Sequence, residues 1–315
     1  MLDLFINLVL TGYFLKAQAQ EQLTLVAVKN QLVVSRTEVK QLKKEAPQLK
    51  NDSDSSGVDV TANSVIVVDD KSNKVLFEKN CLEKRSIASI TKLMTALVFL
   101  DLNPGWDNTV TISSEDQRDG NIAYLIPGEK VSVRDLFHVA LIASSNEGAV
   151  ALARITGLSH DDFVKAMNDK AKSLGMNDTQ FADVTGLDDG NISTAADLVI
   201  LAKTALSNQV ISDVTSNKDY QFTILNKGID RKISSTDKIL GQEFGVTGNM
   251  IEVEAGKTGH LEKAGYCFVS KVKNNENKKI IVVVLGSETL NDRFNDTKSI
   301  AYWVFNNYIW QGQKY

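Results

Sequence analysis

The sequence predicts an α+β domain of three layers, in which helices flank one antiparallel sheet. Strand-like segments lie at both ends of the compact region, and helical periodicity dominates between them. Strands from the two ends can then join in one sheet, with helices covering its faces. The composition of the 315 residues, 43% hydrophobic and 23% charged, is that of a globular protein and excludes wholesale disorder.

The predicted elements fall into groups of one type along the chain. Apolar segments at 64–69 and 74–78, joined by the turn-forming residues 70–73, predict a β-hairpin. Helical periodicity then dominates, over about 89–102, 132–142, 146–156, 160–174 and 194–206. Strand character returns near the end of the chain, at 251–257, 264–273 and 279–286, and a helix over about 296–308 follows.

The N-terminal region predicts two segments outside this domain. Residues 1–19 contain a mostly apolar run and end in Ala17-Gln18-Ala19, the small-x-small pattern of a signal-peptidase site. They predict an export signal or N-terminal anchor, although the run is interrupted and no basic residue precedes it, so a cytosolic first helix is the alternative. Residues 20–57 predict an amphipathic and polar linker, and the compact domain is expected over 58–315.

Charge and metal-ligand patterns exclude several classes of function. Basic residues number 35 and acidic residues 39, and no Lys/Arg block occurs, so nucleic acid is not an expected partner. Cys81 and Cys267 are too few for a disulfide scaffold. The histidines His138, His160 and His260 lack metal-ligand spacing, and we expect neither a metal nor a cofactor.

A candidate nucleophile and its base occur in Ser89-Ile90-Thr91-Lys92. At positions i and i+3 of a helix, the two side chains share one face, with Cβ atoms about 5–6 Å apart. A helix beginning at Ser89 would also favour negative charge at an attacked carbonyl. A lysine base must be neutral, which near pH 7 requires its pKa to fall by roughly 2–3 units through burial or a second cation. The spacing alone is weak evidence, because it recurs in less suitable settings, at Ser235/Lys238 and Ser270/Lys273.

Ser144-Ser145-Asn146 lies between two predicted helices. A hydroxyl and a carboxamide on such a short connection can relay a proton and hold a substrate amide. The alternative is structural, because either serine could cap the helix that follows.

Lys257-Thr258-Gly259 lies at the end of a predicted strand. A cation and a hydroxyl there can hold a carboxylate, and Gly259 allows a substrate backbone to pair along the strand edge. Gly256-Lys257-Thr258 also matches the end of a phosphate-binding loop. That motif requires glycine at position 251, which is Ile251, and a helix afterwards, so this alternative fails.

The three motifs, in this order, resemble the serine-type D-alanyl-D-alanine carboxypeptidases, the low-molecular-mass penicillin-binding proteins. The resemblance extends to the flanking residues and covers about Ser64 to Trp310. The similar segments are 85–96, Gly186-Leu187 with 193–198, and 256–259 with 264–267. It implies a β-lactamase/DD-peptidase-like fold and a DD-peptidase catalytic domain over 58–315.

The resemblance also implies the roles of individual residues. Ser89 is implied as the acylated nucleophile, Lys92 as the general base and Ser144 as a proton relay to the leaving D-alanine, together with Lys257. The implied substrate-binding positions are Asn146, Lys257, Thr258, Gly259, His260 and Arg293. Backbone N–H groups of Ser89 and His260 would form the oxyanion hole, and Arg293 would help to attract the terminal carboxylate. Two departures from the family pattern are Glu147-Gly148 in place of Asp-Ala, and His260 itself.

The implied activity is removal of the terminal D-alanine from peptidoglycan stem peptides. Class A β-lactamases need a glutamate between the second and third motifs, and none occurs between Glu147 and Glu243. β-Lactam antibiotics are therefore expected as covalent inhibitors. The alternatives are a D-alanyl endopeptidase that cuts cross-links and a non-catalytic wall-binding protein.

The same resemblance carries expectations about location and cysteine chemistry. We expect export, to the periplasm or the extracytoplasmic face of the membrane. With about 55 residues after Gly259, any membrane attachment is expected at the N-terminus. Cys267 is expected to be a buried free thiol, and a Cys81–Cys267 disulfide is the alternative.

Overall fold

The computed structural model describes residues 46–50, 57–102, 105–118, 122–246 and 249–311. The export signal predicted at 1–19 and most of the linker predicted at 20–57 lie outside these residues. Within that linker segment, β1 (Gln48–Leu49) pairs antiparallel with β14 (Tyr308–Ile309). In the described part of the chain, no helix is long and apolar enough to cross a membrane.

A six-stranded antiparallel sheet forms the centre of the domain, in the order β10-β11-β12-β13-β2-β3. Its strands are β2 (Ser64–Asp69), β3 (Val75–Lys79), β10 (Glu243–Val246), β11 (Asn249–Leu261), β12 (Gly265–Asn274) and β13 (Lys279–Ser287). The pairing of β2 with β13 joins the N-terminal hairpin to the C-terminal strands. The predicted α+β class, with a sheet built from both ends of the chain, is confirmed.

The helices lie mainly between the two groups of strands. They are α1 (Lys92–Asp101), α2 (Val133–Ile142), α3 (Asn146–Arg154), α4 (His160–Ser173), α5 (Ala195–Ser207), α6 (Gln209–Thr215) and α7 (Asp292–Asn307). Helices α2 to α5 each begin after a serine or threonine whose side-chain oxygen accepts a backbone N–H of the first turn: Ser132, Ser145, Ser159 and Thr194. These caps satisfy donors that a helix leaves unpaired.

The central strand β13 shows how the three layers form. Its apolar residues alternate between two cores, because successive side chains of a strand point to opposite faces. Ile281, Val283 and Leu285 join the core that contains α1 to α5, whereas Ile280 and Val282 join the core under α7. A continuous apolar run is therefore required in this strand, which is buried on both faces.

Some elements differ from the prediction or were absent from it. Helix α7 begins at Asp292, four residues earlier than predicted, and the Asp292 N–H donates to Thr289 Oγ1 at 3.2 Å. The hairpin of β8 (Asp219–Ile224) and β9 (Ile229–Ser234) is partly exposed and polar, so apolar alternation is weak there. Other unpredicted elements include α6, β10, the pair β1–β14 and the short pairs β4 (Arg85–Ser86) with β7 (Ile192–Ser193) and β5 (Thr109–Thr111) with β6 (Lys130–Ser132).

Both cysteines are free thiols in this fold. Cys267 is buried, as expected, and burial raises its pKa to about 11. The Cys81–Cys267 disulfide considered as an alternative is not formed.

Candidate active site

Ser89 and Lys92 lie in and just after a single 3-10 turn, Ala88–Thr91, that leads into α1. The prediction of an α-helix from Ser89 was therefore wrong in detail. Residues i and i+3 eclipse each other in a 3-10 turn, so the two side chains still share one side. Lys92 Nζ donates a hydrogen bond to Ser89 Oγ at 2.9 Å, and Lys92 is only 1% exposed. The predicted pair is therefore in direct contact.

The buried Lys92 amine has two further hydrogen-bond acceptors. Its Nζ donates to Asn146 Oδ1 and to the Thr185 carbonyl oxygen, each at 2.7 Å. Burial lowers the pKa of Lys92 to about 7, against the opposing effect of the Asp183 and Glu147 charges. About half of the amine is then neutral near pH 7, which suits a base that takes a proton from the adjacent hydroxyl.

A second serine–lysine pair faces the first. Lys257 Nζ on β11 donates to Ser144 Oγ at 2.8 Å and to the Thr258 carbonyl oxygen at 2.9 Å. Burial lowers the pKa of Lys257 well below its ordinary value, and the charges of Lys92 and Arg293 lower it further. The site thus combines burial with neighbouring cations, the two effects expected to neutralise a lysine.

The two serines of the second motif have different roles: one caps a helix and the other contacts Lys257. Ser145 Oγ accepts the Gly148 N–H at 2.9 Å and caps α3. Ser144 is left to contact Lys257, and its φ of +59° is in the left-handed region that side-chain-bearing residues rarely adopt. Ala88, directly before Ser89, has a φ of +47°. Backbone strain of this kind is typical of functional sites.

Two glycines allow the backbone to pack closely around the nucleophile. A Cβ added to Gly259 on β11 would lie 2.9 Å from the Ile87 carbonyl oxygen and 3.1 Å from Ser89 N. A Cβ added to Gly186 would lie 2.0 Å from the Ala88 carbonyl oxygen, and Gly186 also has a φ of +89°. Strand β11 therefore runs directly beside the N–H of Ser89, where an oxyanion hole requires it.

The third motif is held by contacts from outside its strand. Thr258 Oγ1 donates to Thr236 Oγ1 at 2.6 Å, and Arg293 donates to the Gly259 carbonyl oxygen at 3.1 Å. Arg293, implied by the resemblance to attract the terminal carboxylate, lies inside α7 and is only 6% exposed. Its guanidinium lies 5.5 Å from the centre of the Tyr266 ring.

His260 lies at the rim of the same region. Its ring is exposed and stacks on Tyr266, with ring centroids 4.0 Å apart. Partial burial, and then the charge of Arg293, lower its pKa. A neutral, stacked imidazole therefore borders the end of β11.

Several residues at the site were not identified from the sequence. Thr185 accepts from Lys92, and the only signal for it was its position next to Gly186-Leu187. Thr236 contacts Thr258, which is 22 residues away in sequence, and no local sequence pattern predicts this contact. Glu147 was noted only as a departure, yet its buried Oε1 accepts the N–H groups of Tyr124 and Leu125 at 2.6 and 3.1 Å.

Two buried donors at the site, Asn146 Nδ2 and Arg293 Nε, have no partner among the described residues. Asn146 Oδ1 accepts from Lys92, whereas Asn146 Nδ2 is buried and makes no hydrogen bond. Buried polar groups are normally paired, so this amide is suited to donate to a substrate carbonyl. No group of three or more metal-ligating side chains occurs in the part of the chain that the structure describes.

Comparison with known proteins agrees with this arrangement. A family model described as D-alanyl-D-alanine carboxypeptidase matches residues 49–289. D-alanyl-D-alanine carboxypeptidase DacF of Bacillus subtilis (strain 168) is 32% identical over 256 residues, which are 78% of this chain and 63% of that relative. The D-alanyl-D-alanine endopeptidase of Escherichia coli (strain K12) is 31% identical over 78% of each chain. Penicillin-binding protein D2 of Listeria monocytogenes, solved in its cefotaxime-bound form, superimposes with a TM-score of 0.67 at 30% identity, over 80% of this chain and all of that one.

Proposed function

The chain belongs to the D-alanyl-D-alanine carboxypeptidase family of serine peptidases, and we propose that it removes the terminal D-alanine from peptidoglycan stem peptides. The observation that carries this proposal is the contact of a buried lysine with a serine hydroxyl, Lys92 Nζ to Ser89 Oγ at 2.9 Å. A buried amine with a pKa of about 7 is a base at neutral pH, and the hydroxyl beside it is a nucleophile.

In the acylation step, neutral Lys92 takes the proton of Ser89 Oγ. The oxygen then attacks the carbonyl carbon of the penultimate D-alanine and forms a tetrahedral intermediate. The N–H groups of Ser89 and His260 receive the negative charge on the carbonyl oxygen. The close approach of Gly259 to Ser89 N supports this position for the oxyanion.

Expulsion of D-alanine needs a proton on its amine. Ser144 Oγ gives its proton to the leaving nitrogen and takes up the proton that Lys92 removed from Ser89, so that Lys92 is neutral again. Lys257, whose Nζ lies 2.8 Å from Ser144 Oγ, holds that hydroxyl in place for the relay. Asn146 Nδ2 holds the peptide carbonyl, while Thr258 and Arg293 attract the terminal carboxylate. Water then attacks the acyl group on Ser89, with Lys92 as base, and restores the free hydroxyl.

The same acylation by a β-lactam gives a long-lived product. The leaving nitrogen of an opened β-lactam stays attached to the acyl group, so it cannot diffuse away as D-alanine does. The cefotaxime-bound form of the Listeria relative supports β-lactams as covalent inhibitors here. Because peptidoglycan is outside the cytoplasm, we also propose export through the N-terminal segment, which could retain the protein at the membrane.

A covalent adduct tests the proposed nucleophile. Purified protein is incubated with a fluorescent penicillin and its intact mass is measured, beside Ser89→Ala and the matched control Ser235→Ala, from another Ser-x-x-Lys sequence. We expect an adduct on the unmodified protein and on Ser235→Ala, stable for many minutes, and none on Ser89→Ala. Rapid turnover of penicillin would indicate a β-lactamase, and no adduct on folded protein would leave a wall-binding protein.

A D-alanyl endopeptidase is the second candidate. Relatives with that name match at 30% to 34% identity and are covered over 78% to 80% of their length, compared with 61% to 63% for several carboxypeptidase relatives. Both activities use the same nucleophile. Purified monomeric and cross-linked muropeptides distinguish them: free D-alanine from the monomer supports the carboxypeptidase, and conversion of dimer to monomer without it supports the endopeptidase.

A further inference from the structure

The direction of β11 determines where the rest of a stem peptide would lie, if the proposed function holds. Lys257 and Thr258 face the terminal carboxylate, and the oxyanion site at His260 follows further along the strand. A substrate extended along β11 therefore continues past Leu261, with its backbone antiparallel to the strand. Its third residue, immediately before D-Ala-D-Ala, is about 3.4 Å beyond the attacked D-alanine.

Two charged side chains from different segments meet in that direction. Lys263, in the turn after β11, and Asp189, in the loop after Gly186, form an ion pair with Nζ and Oδ2 3.4 Å apart. Both segments also touch the nucleophile turn, through Gly259 and Gly186. The ion pair therefore joins these two segments, which flank Ser89, at the end of the site where the stem peptide would leave it.

We propose that Asp189 and Lys263 together bind the side chain of the third stem-peptide residue when that side chain ends in both an ammonium and a carboxylate group. The ammonium would face Asp189 and the carboxylate would face Lys263. This proposal rests on the proposed function, and it names a substrate class: stem peptides with a diaminodicarboxylic acid at position three.

The exposure of the pair supports recognition of a ligand. The side chains are 69% exposed for Lys263 and 48% for Asp189, so both charges are accessible to a substrate. Exposed ion pairs contribute little to folding, and their removal should leave the domain intact. The neighbouring carboxylate of Asp188 is otherwise engaged, because it accepts the Gly190 N–H at 2.7 Å. Glu262 adds an exposed acidic group beside Lys263.

Three synthetic peptides test the proposal on the full chain. They carry meso-diaminopimelate, lysine or norleucine immediately before D-Ala-D-Ala, and the readout is kcat/KM for D-alanine release. The test variants are Asp189→Asn and Lys263→Gln. The controls are Asp178→Asn and Lys84→Gln, from an ion pair of similar exposure (51% and 59%) and 2.9 Å separation that also joins two segments.

We expect both test variants to lose about two- to fivefold in kcat/KM on the diaminopimelate peptide, the range for an exposed charge contact. The norleucine peptide should be unaffected, and the control variants should match the unmodified protein. Equal kcat/KM for all three peptides, or loss in Asp189→Asn without loss in Lys263→Gln, would overturn the proposal.

Penicillin acylation separates this proposal from the proposed function. Penicillin lacks a third stem-peptide residue, so all four variants should be acylated at the unmodified rate, which also shows that they fold. If the unmodified protein forms no adduct and releases no D-alanine from any peptide, the proposed function itself is wrong.

Discussion

Ser89 and Lys92 are three residues apart on one turn, whereas Ser144 and Lys257 are 113 residues apart and meet only in the folded domain. The two pairs are otherwise alike: Nζ to Oγ distances are 2.9 and 2.8 Å, and each lysine is 1% exposed. Local backbone geometry suffices to bring the first pair together. The second requires β11 to dock against the connection between α2 and α3.

The charges around the two lysines differ in sign. Carboxylates near Lys92, those of Asp183 and Glu147, oppose the effect of burial on its pKa, which lies at about 7. Near Lys257, the cations Lys92 and Arg293 act in the same direction as burial. Lys92 can therefore exchange protons near neutral pH, whereas burial and two cations together lower the pKa of Lys257, opposed by the charge of Asp237.

The largest effect is expected when the local pair is broken. Lys92→Met removes the base, and penicillin acylation should slow about 10²- to 10⁴-fold, the usual contribution of general base catalysis. The matched control is Lys238→Met. Lys238 follows Ser235 by three residues, as Lys92 follows Ser89, but its Nζ donates to the backbone carbonyl oxygen of Ser235, at 3.1 Å, and not to the serine hydroxyl. Stopped-flow fluorescence with a penicillin measures both rates. An acylation rate in Lys92→Met equal to that of the control would exclude Lys92 as the base.

The pH dependence of acylation should follow the titration of Lys92. The protonated amine cannot accept the Ser89 proton, so the rate should rise tenfold per pH unit below about 7 and level off above it. Between pH 5 and pH 7 the increase is then roughly 50-fold. Second-order acylation rates over pH 5–9 measure it. A rate independent of pH across this range would contradict the assignment.

The contact that supports the third motif should have a smaller effect. Thr236→Val removes the acceptor of the 2.6 Å hydrogen bond from Thr258, and one such bond corresponds to about 1 kcal/mol, or roughly fivefold in acylation rate. Thr223→Val is the control, because Thr223 Oγ1 bonds to Asp230 on the exposed β8–β9 hairpin. Equal rates in the two variants would show that Thr236 does not support the site.

The two adjacent serines should separate stability from catalysis. Ser145→Ala removes the cap of α3 and should lower the free energy of unfolding by about 1 kcal/mol, with little change in acylation. Ser144→Ala should have the opposite result, a slower reaction with nearly unchanged stability. Urea unfolding and penicillin acylation, measured on both variants, make the comparison. The same loss of stability in both would contradict this division.

The sequence was most informative where structure is local. The hairpin of β2 and β3 and the helices α1 to α5 follow from periodicity and turn residues over a few positions, as do the buried strands β11 to β13. The short pair β4–β7 and the hairpin β8–β9 lacked such signals, because two-residue strands have no period and exposed strands have little apolar alternation. The site showed the same division, since Ser89 and Lys92 were predicted to touch whereas Thr236 and Thr185 were not identified.

What the sequence determined by itself was the α+β class, the residues of the three motifs and the helical spacing of Ser89 and Lys92. Tertiary structure alone decided that Ser145 caps α3 while Ser144 meets Lys257, that Arg293 is buried in α7, and that both lysines are withdrawn from water. The physical reason is the range of each effect. Spacing and capping act within one turn of chain, whereas burial, and the pKa of Lys92 that depends on it, exist only after the sheet and helices pack together.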